Sequence, residues 1–300
     1  MKIVRFLAIV AGGLLALILV AAAALMLNGW ILVHRTPANR ARAVALRPDS
    51  TLLARGEHLA RSSCAGCHSP NLQLPLSGST ADFLAEPGMP PFGHLHAPNL
   101  TPGGVLARYS DAELARAIRE GVNREGRPML VMPSVRFHNL SDRDVAALIA
   151  YLRSQPAVSR AVPPRVLSPL AYLVLGAKLF PLAVTPEAPA TQDGPAEAVT
   201  PEYGEYVAGY LACQDCHGED LRGAPEGQMA PKGPDLVGLA SAHSLTGFDG
   251  AMRRGLSPVD GRSLDPLRMP YPVFAHASDI EVAAIYALLR AGGIRPQRKP

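Results

Sequence analysis

The sequence predicts an all-α chain, with two tandem helical units after an N-terminal transmembrane helix. Three observations carry that expectation. The chain is apolar and free of charge from Phe6 to Leu27, long enough to cross the ~30 Å hydrocarbon core of a bilayer as a helix. Ser-Asp helix-start signals precede runs with apolar residues at helical spacing, and no sustained period-two alternation is visible. One block also occurs twice: MPSVRFHNLSDRDVAALIAYLRS over 132–154 aligns without gaps with MPYPVFAHASDIEVAAIYALLRA over 269–291.

The first element is a membrane anchor over 1–34. Lys2 and Arg5 precede the apolar run, and the alanines at 21–24 resemble a signal-peptide cleavage site. The apolar core of a signal peptide, however, is only ~7–15 residues. Here it continues through Leu25-Met26-Leu27 to Trp30-Ile31-Leu32-Val33, so an uncleaved anchor is expected, with Trp30 at the interface. Arg35, Arg40, Arg42 and Arg47 follow it. Counting positive charges alone would put the rest of the chain in the cytoplasm; the chemistry below places it on the other side.

The first unit, 50–155, starts with a helix carrying Gly56-Glu57 and Ala60. Ser110-Asp111-Ala112-Glu113 opens a second helix with Leu114, Ala117 and Ile118 on one face, closing near Gly121. Ser141-Asp142 opens the last, with Val145, Leu148, Ile149 and Leu152 at helical spacing. Residues 156–200 are rich in Pro and Ala and read as a linker. Its apolar stretch, Val166 to Val184, is interrupted by Pro169, Lys178 and Pro181, too short a clean run for a second span, and is expected as a helix wedged between the units. The second unit, 201–292, repeats the order. Gly204-Glu205 and Ala208 match Gly56-Glu57 and Ala60, a helix is expected near Leu245 to Arg254 before Gly255, and Ser278-Asp279 precedes Val282, Ile285, Tyr286 and Leu289.

Composition narrows the function class. Net charge is +4, and no Lys/Arg cluster is interleaved with aromatics, so nucleic-acid binding has no support. The 29 prolines and 27 glycines concentrate between the helices, which suits small helical domains with long loops folded around a large ligand.

All four cysteines lie in two strings, Cys64-Ala65-Gly66-Cys67-His68 and Cys213-Gln214-Asp215-Cys216-His217. Each is C-x-x-C-H, the c-type haem attachment pattern. Two thiols three positions apart can both reach the vinyl carbons on one porphyrin edge, and the following histidine is placed to ligate iron. A four-thiolate zinc site would need no histidine after each pair. A thioredoxin-like pair needs a βαβ setting, and a disulfide across C-x-x-C closes too small a loop to stabilise much. Two covalently bound haem c groups are therefore expected, with His68 and His217 as proximal ligands. Met132 and Met269 occupy the same repeat position, each before a proline, and are the expected sixth ligands. Met129, His94, His96, His138, His243 and His276 are the rivals; of these His138 and His276 are expected to face solvent or cap a helix.

Both units resemble class I cytochrome c domains, and the pair resembles the membrane-associated cytochrome subunits of bacterial alcohol, aldehyde and gluconate dehydrogenases. The carrying strings are Cys64 to His68, Ala97-Pro98-Asn99-Leu100-Thr101-Pro102, Tyr109-Ser110-Asp111-Ala112-Glu113-Leu114 and Met269-Pro270-Tyr271-Pro272-Val273-Phe274. The resemblance implies that Pro98 and Pro234 offer their carbonyls to the proximal histidines. Two features depart from it. Such subunits often carry three haems where this chain has two motifs, and Met132-Pro133-Ser134-Val135-Arg136-Phe137 lacks the Tyr-Pro of the second unit, which places Arg136 as a charge near the first haem.

The function implied is electron transfer rather than turnover, with no catalytic residue assigned. A dihaem cytochrome would sit in the bacterial inner membrane with its haem domains in the periplasm. It would accept electrons from a periplasmic dehydrogenase and pass them to a terminal oxidase or a soluble cytochrome. A dihaem subunit of a membrane oxidase complex is the nearest alternative. A dihaem peroxidase or thiosulfate-oxidising enzyme would need an open iron site, which the paired Met-Pro strings oppose.

Overall fold

The N-terminal apolar run forms one helix, α1 (Lys2–His34), in a computed structural model that describes residues 1–45, 47–85, 88–180, 182–225 and 232–295. Its 33 residues have a mean hydropathy of 2.7 over the most apolar window, none of which is buried. At ~1.5 Å per residue it is about 50 Å long, more than the ~30 Å hydrocarbon core requires.

The first repeat opens with α2 (Ser50–Leu59), whose first turn is capped by the Asp49 carboxylate accepting from the Leu52 amide at 2.7 Å. A wide π-type turn at Ala60–Cys64 carries the chain into α3 (Ala65–His68), a geometry often found at functional sites. A two-residue strand, β1 (Gly93–His94), precedes α4 (Asp111–Glu120). Helix α4 starts on the reciprocal Ser110–Glu113 capping box and ends at Gly121 with φ 65°, where the start and stop signals place it. Then come α5 (Ser134–Phe137) and α6 (Asp142–Ser154), the latter capped by Ser141.

A second short strand, β2 (Val166–Leu167), pairs antiparallel with β1 and leads to α7 (Pro169–Gly176). The second repeat holds α8 (Pro201–Tyr210), α9 (Gln214–His217), α10 (Leu236–Ala242), α11 (Leu245–Arg254), α12 (Tyr271–Phe274) and α13 (Asp279–Arg290). Helix α11 ends at Gly255 with φ 64°, and Ser278 caps α13.

One contact organises both repeats. A Cβ on Gly56 would stand 2.0 Å from the carbonyl oxygen of Ala147, and one on Gly204 would stand 2.1 Å from that of Ala284. Only glycine lets α2 cross α6, and α8 cross α13, this closely. Around these crossings Leu59, Val145 and Ile149 pack in the first repeat, and Val207, Ile285 and Leu289 in the second, all within one hydrophobic core.

The stretch expected as a linker wraps the first repeat instead. Asn99 Nδ2 donates to Val158 O at 2.8 Å, Thr185 Oγ1 to Arg119 O at 2.9 Å, and the Gln192 amide to the Asp142 carboxylate at 3.0 Å. Helix α7 is not wedged between the repeats either: it packs on the last turns of α1. Asn28 Nδ2 donates to Gly176 O at 2.9 Å, and a Cβ on Gly29 would meet Tyr172 O at 1.9 Å. Small residues on both helices let two apolar surfaces meet there, a pairing that linear order does not disclose.

Candidate haem-binding sites

At the first C-x-x-C-H string, the π-type turn and α3 present Cys64 and Cys67 as free thiols on partly exposed residues, with His68 buried beside them. His68 Nδ1 donates to Pro98 O at 2.9 Å, which leaves Nε2 with its lone pair free for a metal. The loop that brings Pro98 there is tied twice: Gly78 N donates to His68 O, and Leu100 N to Leu76 O, both at 2.8 Å. Burial holds His68 below the usual imidazole range, despite the opposing Pro98 hydrogen bond, so the ring is neutral. Burial, with Cys67 nearby, pushes the Cys64 thiol up to about 12. A thiol held protonated is the reverse of a thioredoxin-type nucleophile.

Met132 lies across a small apolar cavity lined also by Cys64, Ile118, Phe137, Leu148 and Tyr210. Its carbonyl accepts from Ser134 N at 2.8 Å, which starts α5 directly after Pro133. Of the rivals, His94 and His96 have other partners, and the Met129 backbone is tied to neighbouring loops. Both backbone polar groups of Met129 are taken, its N–H by Gly121 O (2.8 Å) and its C=O by Ala183 N (3.1 Å). His94 is exposed and pairs with Asp82 at 2.6 Å, and His96 Nδ1 bonds Ala81 O at 2.9 Å. His138 does not face solvent: it is half-buried at the C-cap of α5, with Nδ1 3.0 Å from Thr185 Oγ1 and 3.3 Å from Arg119 O in the last turn of α4. His276 is exposed.

The second string repeats these relations. His217 is buried, and its Nδ1 donates to Pro234 O at 2.9 Å. Gly223 N donates to His217 O at 2.8 Å and Leu236 N to Leu221 O at 2.9 Å. A Cβ on Gly233 would lie 2.5 Å from His217 Nδ1, so the approach of this loop to the ring requires glycine. Burial lowers the His217 pKa and pushes the Cys213 thiol up to about 12. Met269 O accepts from Tyr271 N at 2.6 Å, the turn found at Met132, and the side chain is half-buried.

The two repeats meet reciprocally at these strings. Arg136, on α5, reaches across to Asp215 inside the second string (2.6 Å) and to Glu219 just beyond it (2.7 Å). It therefore lies beside the second string. On the other side, a Cβ on Gly66 would stand 3.5 Å from Val273 of α12. Between them lies a buried polar cluster that inspection of the strings alone misses. Arg55 grips Asp144 with two bonds of 2.9 and 2.8 Å and reaches Glu281 at 3.2 Å; His58 Nε2 bonds Glu281 at 2.8 Å. Tyr210 also donates to Glu281, and Tyr206 to Asp144 at 2.7 Å. A signal existed: Asp144 and Glu281 hold the same position in the duplicated block, three residues after each capping serine.

The donor set fits haem c in both strings: two thiols at thioether spacing and a neutral imidazole with a fixed tautomer. Among the described residues, no group of three or more His, Cys, Asp or Glu converges as a metal cluster, so the two cysteine pairs do not meet as one four-thiolate site.

Comparison with known proteins agrees with this geometry. Residues 53–156 match the cytochrome c family model. The chain is 36% identical to a nicotinate dehydrogenase component of Pseudomonas putida over 119 residues, which are 38% of this chain and 10% of that protein. It is 28% identical to the cytochrome c subunit of the quinone-dependent alcohol dehydrogenase of Gluconobacter oxydans over 179 residues, 56% of this chain and 35% of that one. With the fructose dehydrogenase cytochrome subunit of Gluconobacter japonicus it shares 27% identity over 148 residues, 47% of this chain and 28% of that one. The chain thus spans about a third or less of the length of the curated relatives it matches.

Proposed function

We propose that the chain is a membrane-anchored dihaem cytochrome c that relays electrons from a periplasmic dehydrogenase to a terminal oxidase or a soluble cytochrome. The carrying observation is the pair of matched hydrogen bonds, His68 Nδ1 to Pro98 O and His217 Nδ1 to Pro234 O, each 2.9 Å. On this reading 50–155 and 201–292 are two cytochrome c domains, joined by 156–200 and anchored by 1–34, and the haem domains face the periplasm.

Bound haem supplies a one-electron iron couple. The chain's own residues do the rest. Cys64, Cys67, Cys213 and Cys216 would hold the porphyrins through thioether bonds, His68 and His217 would offer Nε2 to iron, and Pro98 and Pro234 fix the tautomers and would raise ligand basicity. Met132 and Met269 would supply thioether ligands, whose chemistry would raise the potential and shut out small ligands. The relatives named as dehydrogenase cytochrome subunits support a dehydrogenase as donor.

Haem stoichiometry and mass test this reading. The chain matured with a cytochrome c assembly system should carry two haems, and His217→Ala should lose one set of low-spin signals while the first remains. A mature protein with one haem, or with none attached at Cys213 and Cys216, would overturn it.

A further inference from the structure

The arginines that follow the anchor have no part in haem binding, yet they converge. Arg40, Arg42 and Arg47, from the segment after α1, line one cavity of about 410 Å³ with Arg116 and Arg119 of α4 and Arg143 of α6. No residue is shared with the cavity that holds Cys64 and Met132. The two acidic residues in its wall are already committed. Glu120 is buried and accepts from Asn39 Nδ2 at 2.6 Å and from the Ala188 amide at 3.0 Å, and Asp142 pairs with Arg119 at 2.8 Å. Arg42 pairs with Glu187 at 2.7 Å. Arg40, Arg47 and Arg143 have no ion pair among the described residues.

A second observation points to a missing partner. The Nε atoms of Arg116 and Arg119 are buried without a hydrogen-bond acceptor, and Arg119 is only 6% exposed. Arg40, Arg42, Arg47 and Arg143 reach the cavity from exposed positions around half-buried Arg116 and buried Arg119, and cations of one sign gathered this way repel one another unless an anion enters. The planar guanidinium fork matches a tetrahedral oxyanion and can grip it with two parallel bonds. Arg40 is also six residues beyond the end of α1, at most about 20 Å of extended chain, so the cavity lies within reach of a bilayer surface.

We propose that this cavity binds a phosphoryl group, carried by a soluble organic phosphate or by the headgroup of an anionic phospholipid. The arginines after α1 then form part of a binding site, which accounts for positive charge on the side of the membrane where the charge bias alone would not put it.

The test uses full-length, haem-loaded protein. In neutral detergent it is titrated with inorganic phosphate, following the thermal unfolding midpoint. In parallel it is placed in nanodiscs of phosphatidylcholine alone or mixed with phosphatidylglycerol, and retained lipid is read by native mass spectrometry. Arg143→Gln should weaken the response, and the triple variant R40Q/R47Q/R143Q should weaken it at least tenfold, with the haem spectrum unchanged. Stabilisation by phosphate identifies a soluble ligand, and selective retention of phosphatidylglycerol identifies the lipid; either supports the site. If the triple variant alters the haem spectrum, Arg143→Gln alone decides. Equal responses from wild type and variant, or no response to either probe, would overturn it, and neither result bears on haem content.

Discussion

His58 Nε2 bonds the Glu281 carboxylate at 2.8 Å across the boundary between the two repeats, where Glu281 is 1% exposed. Arg55, from the same helix as His58, spans Glu281 and Asp144, which are the equivalent acids of the duplicated block. The repeats are thus joined through a satisfied ionic cluster as well as through apolar packing. Removing one partner from such a cluster costs more than forming it gains, because it leaves buried charge uncompensated.

Acid stability should report this cluster. Burial alone would raise the Glu281 pKa, but the His58 hydrogen bond and charge, with Tyr210 and the Ser278 amide, hold it at about 2 against 4.5 unperturbed. A depressed carboxylate pKa stabilises the fold in full above about pH 4.5, and that contribution is lost as pH falls toward 2. Glu281→Gln should destabilise the fold by about 3 kcal/mol near neutrality and flatten the acid limb of the stability curve. Denaturant unfolding across that range checks it; parallel curves for wild type and variant would count against the cluster.

The two methionines can be separated by potentiometry. Met132→Ala and Met269→Ala should each lower one haem potential, by on the order of 0.1 V or more within the ~0.8 V range that axial ligands span. Each should also remove one thioether-to-iron absorption band. A variant that keeps the wild-type potential takes that methionine out of the ligand set.

Arg136 makes a more selective case. Because it pairs with Asp215 and Glu219, Arg136→Met removes a positive charge beside the second string and frees two negative ones. The potential of the second haem should fall by on the order of tens of mV, with the first moving less. A larger shift at the first haem would contradict the crossed arrangement.

Gly56→Ala and Gly204→Ala each drive a methyl into a backbone carbonyl, at 2.0 Å from Ala147 O and 2.1 Å from Ala284 O. Helix crossings cannot absorb that without moving apart, so each should cost about 1–3 kcal/mol. The thermal unfolding midpoint measures it, with the haem spectrum as control for local damage.

Much of this was legible locally. Ser110, Ser141 and Ser278 cap helices because a serine hydroxyl can accept from the amide three residues on, and Gly121 and Gly255 end helices in the left-handed conformation. The contacts between repeats were not legible. Arg136 reads as a neighbour of Met132 in sequence but lies against Asp215 in space, and the 156–200 stretch, loose in composition, is bound along the first repeat.

By itself the sequence determined the helices and the candidate ligands: C-x-x-C-H strings, capping serines and the N-terminal apolar run act over a few residues, within reach of spacing and propensity. Only the tertiary structure decided what each unit faces. It set α7 against α1, Arg136 beside the second string, His58 on Glu281, and six arginines around one cavity. Those pairings join residues up to 223 positions apart, and side-chain packing and charge compensation select them only once the helices are in place.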